Sequence, residues 1–263
     1  MLPPARPDPP HVPASFTWLA QPWGALLQCV PLARIATHGW TTRELAILAG
    51  PADCEPQWHQ LAASGGVPRG SLAAVHQVHG AVVIDPQPCD EEERPRADGL
   101  VSSDPSLMLT VRVADCAALL IADSRRGAVA AVHAGWRGTA AGIAAAAVAR
   151  LREPHGSDPR DLVAALGPSI GPCCYTVGEE LIDAFRSEAQ DDANPDRWFR
   201  QGKGLQLDLW TANRDQLEAA GVPAAAIYVS GLCTACHPKW FYSYRREGTA
   251  AGRLVGFIRA PGA

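Results

Sequence analysis

Cys116 and His133 stand at either end of the stretch CAALLIADSRRGAVAAVH, which reads as two apolar strands around the polar turn SRRG. A short polar turn ending in glycine is a hairpin signal. Folding about Ser124 and Arg125 opposes residues whose numbers sum to about 249. That sets Cys116 opposite His133 on one face, with Cβ atoms about 5 Å apart. Three chemistries fit such a pair: a buried cysteine beside a hydrogen-bonded histidine, a Cys–His nucleophile and base, or two ligands of a metal, since thiolate plus imidazole suits zinc. A third ligand would select the last. VHQVHG offers His76 and His79, which on a strand face opposite ways, so that only one of them can join the site unless Gly80 marks a distortion. Asp115, beside Cys116, is a weak candidate proton carrier, because strand neighbours point away from the cysteine's face.

These residues need elements to hold them. Strands are expected in GALLQCVPLARIATHGW, AAVHQVHGAVVI, LMLTVRVADCAALLIAD, GAVAAVHAG and AAIYVSGLC, each apolar or alternating and bounded by glycine, proline or polar residues. TAAGIAAAAVARLRE reads as a helix from its alanine content, ending before Pro154. GEELIDAFRSEAQ and LDLWTANRDQLEAAG read as two more, the latter stopped by Gly221. DPQPCDEEERPRADG and AQDDANPDRWFRQGKG read as surface insertions, and motif residues on both sides of each argue for one α+β domain over residues 16–263.

The 263 residues are 47% hydrophobic and 19% charged, with a net charge of −4. That composition suits a globular chain with a sizeable core and argues against a nucleic-acid partner, which would call for a basic surplus. No apolar run approaches the roughly 20 residues of a membrane span. Residues 1–15 form a proline-rich arm without the apolar stretch of a signal peptide, so the arm is expected to be an extended, poorly ordered lead-in, the location cytoplasmic, and the eight cysteines reduced.

HQVHG, ADGLVSS, VADCAALLIAD, AAVHAGWRGTAAGI, LGPSIGPCCYTVGEEL and FYSYRREGTAAGR occur in that order. Together they resemble the YfiH family, also called the laccase-domain, polyphenol oxidase or peptidoglycan editing factor family, from about residue 35 to about 259. The resemblance implies a mixed-sheet β-sandwich flanked by helices. It implies His79, Cys116 and His133 as metal ligands, choosing His79 over His76. Three protein ligands leave a fourth zinc position open for water or substrate. Copper suits the sequence less well, because the eight histidines contain no His-x-His pair. The implied activities are phosphorolysis of adenosine, inosine and methylthioadenosine, and deamination of adenosine, with nucleoside and phosphate as the only partners.

Phosphorolysis needs an anion site, for which Arg137, four residues beyond His133, and the helix start after it are candidates. Arg43, in HGWTTR, and Arg245, in SYRREG with Ser243 and Arg246, join them by family likeness. Thr176 stands where many relatives carry glutamate, and the loop after Arg43 lacks the usual glycine and asparagine, so the substrate side departs from the pattern. Cys173 and Cys174, being adjacent, are expected to point apart, and the CxxC of CTACH, Cys233 and Cys236, is expected to be structural. The competing readings are a metal-free hydrolase with Cys116 as nucleophile and His133 as base, a hydrolase editing cell-wall precursors, and a non-enzymatic protein with structural zinc.

Overall fold

The structure is a computed structural model describing residues 8–48, 54–86, 93–188 and 194–262. Its strands are β1 (Phe16–Gln21), β2 (Gly24–Cys29), β3 (Thr37–Thr41), β4 (Leu72–Ala73), β5 (Val83–Ile84), β6 (Gly99–Ser102), β7 (Met108–Val113), β8 (Ala117–Asp123), β9 (Val129–Ala134), β10 (Leu162–Leu166), β11 (Phe199–Gly202), β12 (Gly204–Leu207), β13 (Ile227–Val229) and β14 (Leu254–Arg259). They form two six-stranded mixed sheets, ordered β1-β2-β3-β14-β7-β4 and β13-β10-β8-β9-β6-β5, with β11 and β12 as a separate hairpin. The helices are α1 (Glu55–Ser64), α2 (Trp136–Ala140), α3 (Ile143–Arg152), α4 (Glu180–Glu188), α5 (Leu209–Ala219) and α6 (Tyr244–Glu247).

Side-chain alternation along β8 explains the layers. Ala118, Leu120 and Ala122 cluster with Trp40, Leu109 and Val111 of the first sheet. Leu119 and Ile121 point the other way, into a cluster with Ile143, Ala147 and Leu151 of α3. Both faces are covered, so β8 reads as an unbroken apolar run rather than an alternating one. On the far face of the first sheet, Leu61 of α1 clusters with Met108 and Phe257. The architecture is the expected α+β single domain, a mixed-sheet β-sandwich with helices on its outer faces. Among the described residues no helix is long and apolar enough to cross a membrane.

Several elements differ from the sequence reading. The run from Leu107 to Asp123 is not one strand: β7 lies in the first sheet and β8 in the second. The chain changes sheets at Ala114–Cys116, where Asp115 takes a φ of 83°, a left-handed conformation that aspartate tolerates better than most residues. The helix expected from Thr139 to Glu153 is two, α2 and α3, parted at Gly142 with a φ of 79°. VHQVHG is not a strand, because β4 ends at Ala73. The insertion after α4 carries β11.

The strands β1, β6, β10 and β14 and the helices α1 and α6 lie outside the strands and helices expected from the sequence. α1 buries only Leu61 and Ala62, too sparse an apolar stripe to show as periodicity. Residues 1–7 of the arm lie outside the described residues. From Pro10 the arm is held to the sandwich rather than trailing from it: Trp18 Nε1 donates to the Pro10 carbonyl at 2.9 Å, and Val12 packs against the core.

Candidate metal and substrate site

The hairpin register pairs Ala118 with His133 and Ala117 with Ala134. Partner numbers therefore sum to 251, two more than expected, because the turn centres one residue later. Asp123 fixes that turn by accepting the N–H groups of Arg125 and Arg126 at 2.8 and 2.9 Å. A shift of two preserves which face each side chain takes. Cys116 thus lies level with Gly135, diagonal to His133 and on its side of the hairpin. Gly135 is required there, since a Cβ would fall 2.9 Å from the Cys116 sulfur and 3.3 Å from His79 Cδ2.

His79 reaches the same point from a turn rather than a strand, with a φ of 62°. Asp98, just ahead of β6, holds that turn: its carboxylate accepts the N–H groups of Gly80 at 2.7 Å, His79 at 2.9 Å and Val78 at 3.3 Å. The same carboxylate lies 2.8 Å from His133 Nδ1, both side chains being buried. Such a partner fixes the imidazole tautomer and leaves Nε2 for a metal. Despite its burial, Asp98 is held below the ordinary carboxylate range by His133 and these N–H groups. The sequence reading passed over Asp98; its signal was the acid-glycine step in ADG that opens β6.

The ligand atoms of His79, Cys116 and His133 all lie within 4.8 Å of one another, and the two imidazole rings are 4.8 Å apart at 85°. Burial would raise the Cys116 thiol, but the charges and hydrogen bonds of His133 and His79 outweigh it and bring it down to about 6. His133, lowered by burial, is carried up to about 9 by the Cys116 thiolate and Asp98. One thiolate and two imidazoles are a fitting donor set for zinc. His133 is buried, Cys116 half-buried and His79 exposed, so the trio opens on one side.

That side faces a cavity of about 630 Å³ whose lining includes His79, Cys116, His133, Arg137, Tyr175 and Arg245. Arg137 leaves α2 and lies 4.2 Å over the Trp136 ring. Arg245 lies 5.1 Å over the Tyr175 ring and donates to the Thr176 carbonyl at 2.8 Å. Burial, followed by the negative charge at Cys116, holds the Tyr175 phenol above its ordinary value, so it stays a donor.

Arg43 is not brought to the cavity lining. Its guanidinium donates to the Pro238 carbonyl, pairs with Glu247 at 3.3 Å and covers the Tyr242 ring, which makes it a tie between loops. Arg246 donates to the Ala235 carbonyl at 3.4 Å. His76 lines the cavity outside the three-donor group. Asp115 is committed to structure: it accepts Thr234 Oγ1 and the Arg245 N–H, both at 2.6 Å. Cys173 and Cys174 do not point apart as expected, because they sit in a turn, and their sulfurs meet those of Cys233 and Cys236.

A family model described as multi-copper polyphenol oxidoreductase laccase matches residues 43–261. The purine nucleoside phosphorylase YlmD of Geobacillus stearothermophilus is 39% identical over 194 residues, covering 69% of each chain. The crystal structure of YlmD from that organism superposes with a TM-score of 0.82 at 31% identity, covering 95% of this chain and 100% of that one. The adenosine deaminase RL5, from an unknown prokaryotic organism, is 38% identical over 209 residues, covering 76% of this chain and 79% of its own. A Bacillus licheniformis hypothetical protein, YfiH, superposes at 0.77 with 29% identity over 90% of this chain and 96% of its own.

Proposed function

This chain belongs to the family described as multi-copper polyphenol oxidoreductase laccase, and from that premise we propose that it is a cytoplasmic, zinc-dependent purine nucleoside phosphorylase. The observation that carries the reading is the pairing of an open-sided His79–Cys116–His133 centre with two arginines, Arg137 and Arg245, around one cavity. Its volume lies in the range of small-molecule sites. The name of the relative YlmD supports the same substrate class. The family's description as a laccase finds less support, since four-copper chemistry needs more imidazoles than this centre offers.

His79, Cys116 and His133 would hold the zinc, which supplies a Lewis acid next to the substrate when bound. The chain's own groups do the remaining work. Arg137 and Arg245 bind inorganic phosphate as charged forks, and the protonated Tyr175 phenol offers a hydrogen bond to the nucleoside. Phosphorolysis breaks the bond from C1′ of the ribose to the purine nitrogen and joins a phosphate oxygen to C1′. The electron pair leaves on the purine, which takes up a proton.

The test is chromatography of inosine incubated with phosphate. Hypoxanthine and ribose 1-phosphate are expected, and Cys116→Ala should abolish them while leaving the circular dichroism unchanged. No product from either inosine or adenosine would overturn the enzyme class. The relative RL5 favours a second activity, adenosine deamination, which would yield inosine without phosphate. The close Cys116–His133 pair favours a metal-free hydrolase as the rival mechanism. Activity that survives chelation but is lost on thiol alkylation would select that rival.

A further inference from the structure

Four cysteines that the proposed reaction does not use come together on two loops behind the cavity wall. Cys173 and Cys174 lie in the turn after Gly171, where the N–H groups of Cys174 and Tyr175 both donate to the Gly171 carbonyl at 3.0 Å. Cys233 and Cys236 lie in the loop after β13, where the Cys236 N–H donates to the Cys233 carbonyl at 3.2 Å. Backbone hydrogen bonds stitch the loops together independently of the sulfurs: Ser169 N–H to the Leu232 carbonyl at 3.1 Å, and Thr234 N–H to the Ser169 carbonyl at 3.0 Å. The four sulfurs all lie within 4.8 Å of one another. Cys236 Sγ is 3.4 Å from Cys174 Sγ and 3.6 Å from Cys173 Sγ.

We propose that Cys173, Cys174, Cys233 and Cys236 bind a second, structural zinc ion as four thiolates. A tetrahedron with zinc–sulfur bonds of about 2.3 Å has edges of about 3.8 Å, close to the separations these sulfurs already have. An all-sulfur set selects a soft or borderline ion and rejects magnesium and calcium. Four protein ligands close the coordination shell, which is the pattern of a structural rather than a catalytic ion. The buried Cys233 sulfur accepts the Gly171 N–H at 3.3 Å, the kind of contact that supports a metal-bound thiolate. Cys173 and Cys236 are exposed, which gives the ion a path in.

The sulfurs are arranged for an ion rather than for a disulfide. Cys236 is nearly equidistant from two partners, and the four sulfurs converge on one point rather than falling into two separate pairs. Binding releases to solvent whichever of the four thiol protons are still present and changes no oxidation state. The consequence reaches the substrate side, because Tyr175 follows Cys174 and, with Ile170, lines the cavity. The Ile170 N–H also donates to the carbonyl of Asp115 at 2.8 Å, at the sheet-to-sheet kink beside Cys116. The second ion would therefore brace the wall carrying Tyr175.

The experiment uses the full chain carrying Cys116→Ala, which disables the first centre, purified with reductant and zinc and analysed by elemental mass spectrometry. One tightly held zinc per chain is expected, and its cobalt(II) replacement should show the intense sulfur-to-cobalt charge transfer of a tetrathiolate. Adding Cys236→Ser should remove both signals. If that double variant does not fold, titrating the single variant with an organomercurial should release its zinc as the four thiols react. A single variant without zinc, zinc retained after Cys236→Ser, or a Cys174–Cys236 disulfide recovered from reduced protein would each overturn the proposal. Failure here would leave the nucleoside reading intact, since that reading is judged by products with the wild-type chain.

Discussion

Four N–H groups converge on the Asp98 carboxylate, from the backbones of Val78, His79 and Gly80 and from the His133 ring. Asp98→Asn keeps the shape but loses the charge and offers one acceptor oxygen where there were two. Its zinc affinity at the His79–Cys116–His133 centre should fall about 10- to 100-fold, measured by competition with a chromophoric chelator. Asp98→Ala should cost more, because the buried His133 N–H loses its partner at about 1–3 kcal/mol and three part-buried backbone N–H groups lose theirs as well. At this scale the sequence was most informative: the hairpin marked Cys116 and His133 as a pair and the family resemblance chose His79 from HQVHG, and these are the three donors that the fold brings within 4.8 Å of one another. Asp98 was not legible, since a carboxylate that works through other residues carries no spacing signature of its own.

Strand β3 shows how an element can depend on one proton. His38 is buried, with Nε2 accepting the Cys29 N–H at the end of β2 at 3.0 Å and Nδ1 3.1 Å from the Ala36 carbonyl. Burial, only partly offset by the Ala36 carbonyl, lowers it from 6.5 to about 4. The folded chain thus binds this proton more weakly than the unfolded one. The stabilisation from neutral His38 is complete above pH 6.5 and is lost as pH falls through the window to about 4. A shift of that size corresponds to roughly 3 kcal/mol. Urea midpoints measured across the window should fall in the wild type, and His38→Gln should remove most of that slope. The β8–β9 hairpin was legible from its turn residues, but its register was not. SRRG permits centres one residue apart, and the choice is made by the Asp123 carboxylate capping the N–H groups of Arg125 and Arg126.

For the whole molecule, the two sheets and their helices make the site a junction of distant segments rather than a property of one. A ligand that binds only the folded junction stabilises the entire domain. Phosphate at about 100 times its Kd should add about 2.7 kcal/mol, read as a rise in Tm of several degrees. Sodium chloride at matched ionic strength should not reproduce it. Arg137→Ala with Arg245→Ala should abolish the shift, whereas Arg43→Ala should lower Tm with the phosphate shift retained, because Arg43 ties loops away from the cavity.

Local chemistry determined what the sequence could tell by itself. Apolar runs marked β8 and β9, a helix-forming run stopped by Gly221 marked α5, and glycine and polar residues marked the turns. Residue types marked the Cys116–His133 pair, and the strand and helix runs pointed to one α+β domain. The family resemblance supplied the sandwich and the choice of His79 as candidate ligand. Tertiary structure alone decided that the chain changes sheets at Asp115, that Arg245 reaches the cavity while Arg43 does not, and that four cysteines on two loops share one point. Each of these depends on hydrogen bonds between residues far apart in the chain, such as Thr234 to Asp115 or Thr234 to Ser169. Periodicity and spacing record a residue's neighbours in sequence, and these contacts exist only once the sheets have packed.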